Sequence, residues 1–166
     1  MKSLYLLILC SGVFITCNKK PEVKTDLPKN EFTIEKKQSV ASQIAELMED
    51  GYQIFEYVDE ESGDTIIMQE YYMAFLNRGP NRSQSKAEAD SLQALHLEHL
   101  GRMYKEGFAD ISGPFGDDRD TRGITIYNVP SLKMADSLAN LDPMVRAGRL
   151  VIEIRPWWAG KGFPLR

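Results

Sequence analysis

Residues 85–107 run SKAEADSLQALHLEHLGRMYKEG. Ser85, with Glu88 three positions on, is a capping box: the serine side chain accepts from the backbone of the first turn while the glutamate reaches back. Ala89, Leu92, Leu95, His96, His99, Leu100 and Met103 recur at helical spacing, and Gly107 stands where a left-handed residue ends a helix. The stretch predicts one long amphipathic helix. Before it, Tyr71 to Leu76 is an aromatic and aliphatic strand ended by the turn residues Asn77-Arg78-Gly79-Pro80. After it, Phe108 to Ser112 predicts a second strand and Gly123 to Val129 a third. Ser131 can cap a second helix carrying Leu132, Ala135, Leu138 and Leu141. Asp142-Pro143 opens a further helical turn that Gly148 closes, and Arg149 to Pro156 predicts a fourth strand with Ile152 and Ile154 alternating.

The order β-α-β-β-α-β predicts an α+β fold of the ferredoxin-like arrangement, in which two helices cover one face of an antiparallel sheet. The open face of such a sheet is commonly buried by a second copy, so a homodimer is expected. Upstream, Ser39 to Asp50 places Val40, Ile44, Leu47 and Met48 on one helical face, with Gly51 as a stop. Gln53 to Val58 predicts a strand, Asp59 to Asp64 an acidic turn, and Thr65 to Met68 a return strand. Residues 39–70 are therefore an N-terminal helix and hairpin extension, 71–160 the main domain and 161–166 a short tail.

The first sixteen residues have a different character. Met1-Lys2-Ser3 precedes an almost wholly apolar run from Leu4 to Ile15. This is the charged-then-apolar pattern of a secretory signal, and it falls short of the roughly 20 residues a membrane span needs. A buried N-terminal strand or helix is the other reading, and the polar tail that follows speaks against it. Phe14-Ile15-Thr16-Cys17 resembles the lipobox of bacterial lipoproteins, in which the cysteine thiol is acylated and becomes the new N-terminus. Cys10 would leave with the signal, so Cys17 would be alone in the mature chain, with no partner for an internal disulfide. Two acyl chains supply the stable anchorage that one does not. Residues 17–38, rich in Lys, Glu, Pro, Asn and Thr, are a flexible tether. The expected location is the bacterial cell envelope, lipid-anchored to a membrane and facing the periplasm or the surface.

Bulk composition limits the function. The 166 residues are 43% hydrophobic and 27% charged, which suits a globular domain and excludes a wholly disordered chain. A net charge of −4 argues against a dedicated nucleic-acid binder, which needs a basic face for phosphates.

His96 and His99, the two histidines, share one helix face through their i, i+3 spacing. Such a pair can bind a metal, but a catalytic metal wants a third protein ligand, which no spacing marks, and HExxH is absent. Either histidine is also accounted for as a helix residue at the edge of the core. Histidine suits proton transfer near neutral pH, and it becomes a candidate base where a carboxylate orients the ring. Asp142 is such a carboxylate, although Asp before Pro is equally a helix N-cap; a cap uses one side-chain oxygen, so the two roles are compatible. Ser112 to Gly116 is a tight turn whose amides can face a pocket, without the spacing of a phosphate loop. Asp117 to Asp120 lacks the ligand spacing of a calcium loop and is expected as an exposed turn. Trp157-Trp158, after the last strand, is expected as a core lid or dimer contact, with a ligand-stacking platform as the other reading. No cofactor is indicated.

Taken together, Tyr72-Met73-Ala74-Phe75-Leu76, His96 with Gly107 eleven residues on, Gly113-Pro114, Asp142-Pro143 and Gly148 resemble the YCII-related domain family over Tyr71 to Trp157. The resemblance implies a small dimeric α+β barrel built on the ferredoxin-like fold. It also implies an acid–base dyad in a pocket, with the helix histidine at His96 and the aspartate at Asp142; His99 does not match the key position. Some members of the family are associated with dehydrochlorination of hydroxylated aromatic compounds. The expectation is a membrane-anchored lipoprotein whose domain binds an unknown small molecule and carries out proton abstraction or elimination through His96 and Asp142. The alternative is a non-catalytic dimeric ligand-binding or interaction module.

Overall fold

The computed structural model describes residues 38–165; the segment read as a signal, Cys17 and nearly all of the stretch read as a tether lie outside the described residues. The elements follow as α1 (Val40–Glu49), β1 (Ile54–Val58), β2 (Thr65–Arg78), α2 (Lys86–Lys105), β3 (Ala109–Pro114), β4 (Thr121–Tyr127), α3 (Leu132–Ala139), α4 (Pro143–Arg146) and β5 (Leu150–Gly160). All strand pairings are antiparallel. Among the described residues no helix is long and apolar enough to cross a membrane.

β2 organises the sheet. Along one edge it pairs with β5 from Met68↔Gly160 to Arg78↔Leu150. Its other edge is shared: β1 takes the first part (Val58↔Thr65 to Ile54↔Gln69) and β4 the second (Tyr72↔Tyr127 to Asn77↔Thr121). β3 lies outside β4. The fold is α+β, with helices on an antiparallel sheet, and its order β5-β2-β4-β3 is consistent with a ferredoxin-like arrangement.

The predicted return strand at 65–68 and the strand at 71–76 are one continuous strand of 14 residues. The polar pair Gln69-Glu70, which reads as an interruption, is satisfied in place. Gln69 is fully buried, donates to Asn128 Oδ1 at 2.7 Å and accepts from Lys161 Nζ at 2.8 Å. A buried amide with both ends partnered does not break a strand. The boundary expected at residue 70 thus falls inside β2, and the described residues 38–165 belong to a single unit.

Local signals place the helices. Ser85 caps α2 with both halves of the capping box formed, and Ser131 caps α3. The main core lies between sheet and helices: Tyr72 and Ala74 of β2, Met103 of α2, Tyr127 of β4, and Ala135 and Ala139 of α3. A smaller cluster of Leu76, Met144 and Leu150 closes the end of the sheet nearest α4. Several expected core residues face water instead: Leu95 of α2, and Val40 and Met48 of α1, where Leu47 is the buried side chain. Among the described residues α1 lies chiefly against β1, with Leu47 buried and Ile44 half-buried.

Two further expectations are corrected. Trp157 and Trp158 are within β5 rather than after it, because their backbones pair with Tyr71 and Glu70. Ser112 to Pro114 is the end of β3 rather than a turn, since Gly113 pairs with Ile124 and Pro114 with Gly123.

Candidate functional site

His96 sits in the middle of α2 and Asp142 is the N-cap of α4, and packing of α4 on α2 brings them together. Pro143 at the first helical position needs no hydrogen-bond partner for a backbone N–H, and the left-handed Gly148 (φ 68°) ends the segment. Asp142 divides its carboxylate: Oδ1 accepts from the Met144 N–H at 2.8 Å, and Oδ2 lies 2.5 Å from His96 Nδ1. Both residues are buried, at 2% and 8% exposure. A carboxylate oxygen accepts, so Nδ1 carries a proton, and whenever the ring is neutral the lone pair is on Nε2. Tyr127 is buried nearby; burial pushes its hydroxyl well above the ordinary tyrosine range, and the negative charge of Asp142 adds to the effect.

His96 lines a cavity of about 490 Å³. Its apolar lining includes Leu76, Leu97, Leu100 and Met144, and Ser112 to Pro114 of β3 form part of the wall. Four arginines also line it: Arg78, Arg82, Arg122 and Arg149. Asp117 to Asp120 is the exposed turn expected, and Asp118 within it pairs with Arg78 at 3.1 Å and Arg122 at 2.7 Å at the edge of the cavity. Backbone bonds hold the arginine-bearing segments together: Gly79 N–H donates to Arg149 O at 2.9 Å and Asn81 N–H to Gly148 O at 3.0 Å. A Cβ at Gly79 would stand 2.3 Å from Gly148 O, so only glycine lets these backbones approach.

A helix histidine is thus tied to the aspartate of an Asp-Pro step beside a cavity at the end of an antiparallel sheet. The profile of the YCII-related domain family matches residues 71–158. This chain belongs to that family. No curated protein matches the sequence. Among solved structures, 5-chloro-2-hydroxyhydroquinone dehydrochlorinase from Burkholderia phenoliruptrix AC1100, in complex with 2,5-dihydroxybenzoquinone, is similar at 20% identity and a TM-score of 0.40, over 52% of this chain and 92% of that chain.

Within the YCII-related domain the two histidines part company. His99 is also buried, but it lines a shallower depression with Arg102, Leu141 and Arg146 that shares no residue with the cavity of His96. Its Nδ1 lies 3.2 Å from Arg102 Nη2, a donor, so Nδ1 accepts and Nε2 carries the proton, buried and without a partner among the described residues. Burial lowers the pKa of His99, against the opposing pull of Asp142. Among the described residues no three His, Cys, Asp or Glu side chains converge as a metal site.

The tryptophans lie away from the cavity: Trp157 packs on Tyr71 and Trp158 on Phe55, with ring centroids 6.3 and 5.1 Å apart. The turn at Asp59 is closed on itself, its Oδ1 accepting from the Ser62 N–H at 2.8 Å and the Ser62 hydroxyl at 2.9 Å. The arginines are what sequence reasoning missed. Arg78 and Arg82 flank a Gly-Pro turn and Arg149 follows a helix-ending glycine, positions that also suit ordinary solvated residues.

Proposed function

We propose that this chain is an envelope lipoprotein, anchored through Cys17, whose YCII-related domain exchanges a proton with a small molecule through His96 and Asp142. The observation that carries the chemistry is the division of the Asp142 carboxylate between the Met144 N–H and His96 Nδ1. That division leaves Nε2 as the base. When Nε2 takes a proton from a substrate C–H, the bonding pair stays on the substrate as a stabilised carbanion or expels a leaving group from the neighbouring carbon. Asp142 offsets the positive charge that then forms on the ring. Return of the proton from Nε2 to substrate, product or solvent resets the site. Proton abstraction and elimination are thus two outcomes of one first step.

A second reading, a non-catalytic dimeric ligand-binding or interaction module, is favoured by the cap itself, since a capping aspartate needs no chemistry to explain it. Asp142→Asn tests the first reading. Asparagine caps helices as well as aspartate does. With its Oδ1 held by the Met144 N–H, its amide nitrogen faces His96 Nδ1 and donates to it, which moves the ring proton to Nε2. Long-range 15N–1H correlation spectra are expected to report Nδ1–H in the wild type and Nε2–H in the variant, with the fold unchanged. A base held in the wrong tautomer loses on the order of 10⁴-fold in kcat. An identical His96 tautomer in both proteins would end the dyad reading and leave the interaction module. The anchor is tested separately: mass spectrometry of the N-terminal peptide from a bacterial host should find Cys17 first and diacylated, and an unprocessed Met1 or an unmodified Cys17 would refute it.

A further inference from the structure

The cavity beside His96 is basic in a chain that is acidic as a whole, with 20 Lys and Arg against 24 Asp and Glu. Four guanidinium groups line it, with Asp118 the one carboxylate among its lining residues. The four are not equivalent. Asp118 is shared by Arg78 and Arg122, and Asp120 lies 3.7 Å from Arg78, so two of the four charges are already matched. Arg149 has Gln84 Oε1 as a neutral acceptor for Nη1 at 3.1 Å, while its Nε is a buried donor without an acceptor among the described residues. Arg82 has no hydrogen-bond or ion-pair partner among the described residues. Desolvation and the neighbouring charges of Arg149, Arg78 and Arg122 all disfavour its charged form. Arg82 is exposed, so water serves its donors, but the buried Arg149 Nε has no acceptor among the described residues, and four like charges gathered on one cavity favour an anion there.

We infer that this cavity selects a substrate carrying an oxyanion, a carboxylate or a phosphate, which Arg82 and Arg149 hold while the apolar wall takes the body of the molecule beside His96. The inference rests on the reading of this cavity as the place of proton exchange, and it names the chemical class that enters. Its volume of about 490 Å³ suits a small organic molecule, for which pockets run from roughly 300 to 1,000 Å³. Guanidinium groups bind carboxylate and phosphate through paired, parallel N–H donors, so the same two arginines fix the orientation of the substrate as well as its charge. A carbanion left on the substrate when Nε2 takes the proton lies in the same positive field, which favours the step from substrate to carbanion over the step back.

The test is a titration of the full chain, in nonionic detergent at constant ionic strength, with inorganic phosphate, with benzoate and with the neutral benzamide, read at the arginine Nε–H resonances. At least one of the two anions should saturate the site and bind at least tenfold more tightly than benzamide. Arg82→Gln and Arg149→Gln should each weaken that binding by roughly ten- to a hundredfold, the loss of a charge-assisted hydrogen bond, and Arg82→Lys should restore part of it. Preference for phosphate or for benzoate then tells which oxyanion the site is built for. Failure of both anions to saturate, binding of benzamide as tight as theirs, or unchanged binding in both glutamine variants would each overturn the inference. The Asp142→Asn tautomer experiment is independent. A flipped tautomer without anion binding removes the substrate class alone, whereas anion binding without the flip removes the proton exchange and leaves an anion-binding domain.

Discussion

His96 and His99 are three residues apart on one helix, and the protein holds them in opposite ways. His96 has a carboxylate on Nδ1 and a cavity beside it, while His99 has an arginine on Nδ1 and, among the described residues, no partner on Nε2. An arginine can only donate, so protonation at Nδ1 would break that contact and set two cations side by side. The pKa of His99 in the folded chain accordingly lies below its ordinary value of 6.5, burial being the first cause. The unfolded chain therefore takes up the proton first as pH falls. The stability that neutral His99 contributes is complete above about pH 6.5 and is lost as pH drops below it, toward the depressed folded-state value. His99→Gln, which can still accept from Arg102, removes this dependence. Thermal melts from pH 7.5 down to pH 5 are expected to show the wild type losing ground steadily to the variant, and a constant gap across that range would rule the account out.

At the scale of elements, what could be read in advance was what short-range chemistry determines. Ser85 with Glu88, Ser131 and Asp142-Pro143 each announce a helix start within four residues, and Gly107 and Gly148 announce stops through a positive φ. His96 and Asp142 were legible as a pair because a family resemblance joined them; spacing alone left Asp142 a cap. What stayed hidden depends on partners far along the chain. Gln69 and Glu70 read as a break between two strands, yet Gln69 is completed by Asn128, 59 residues away, and by Lys161, 92 residues away. The cavity arginines were invisible for the same reason, since a lone Arg82 or Arg149 reads as solvated until the fold places them together. Gln69 also joins β2, the segment after β4 and the end of β5. Burial lowers the pKa of the Lys161 amine, which the Gln69 carbonyl accepts from. Gln69→Ala leaves the Asn128 carbonyl and the Lys161 amine without this partner, at a cost of about 1–3 kcal/mol. Urea denaturation should register that loss together with faster amide exchange at the β1–β2 and β5 ends, and a variant as stable as wild type would show that water replaces the amide freely.

The molecule as a whole covers its sheet unevenly. Ala74, Ile152 and Ile154 face the helices, so the alternation of a strand turns Phe75, Val151, Glu153 and Arg155 to the other face. There Val151 is 47% exposed, and Arg155 lies over the Phe75 ring at 5.3 Å while pairing with Glu153 at 2.7 Å. An apolar strip with a self-paired Glu-Arg couple suits a two-fold contact, because each copy offers the charge its partner needs and the rings meet about the axis. We propose that the homodimer expected from the fold forms through this face. Phe75 lies outside both core clusters, so Phe75→Glu should leave the fold intact while placing two like charges against each other at the interface. Sedimentation equilibrium of the detergent-solubilised chain is expected to give twice the mass of one chain for wild type and the single-chain mass for the variant, with matching circular dichroism. A wild type that sediments as one chain, or a folded variant that still pairs, would move the contact elsewhere or remove it. The cavity arginines, including Arg82 and Arg149, are carried on this same sheet and its connections, so the paired glutamates should also leave anion binding unchanged if each copy holds a complete site.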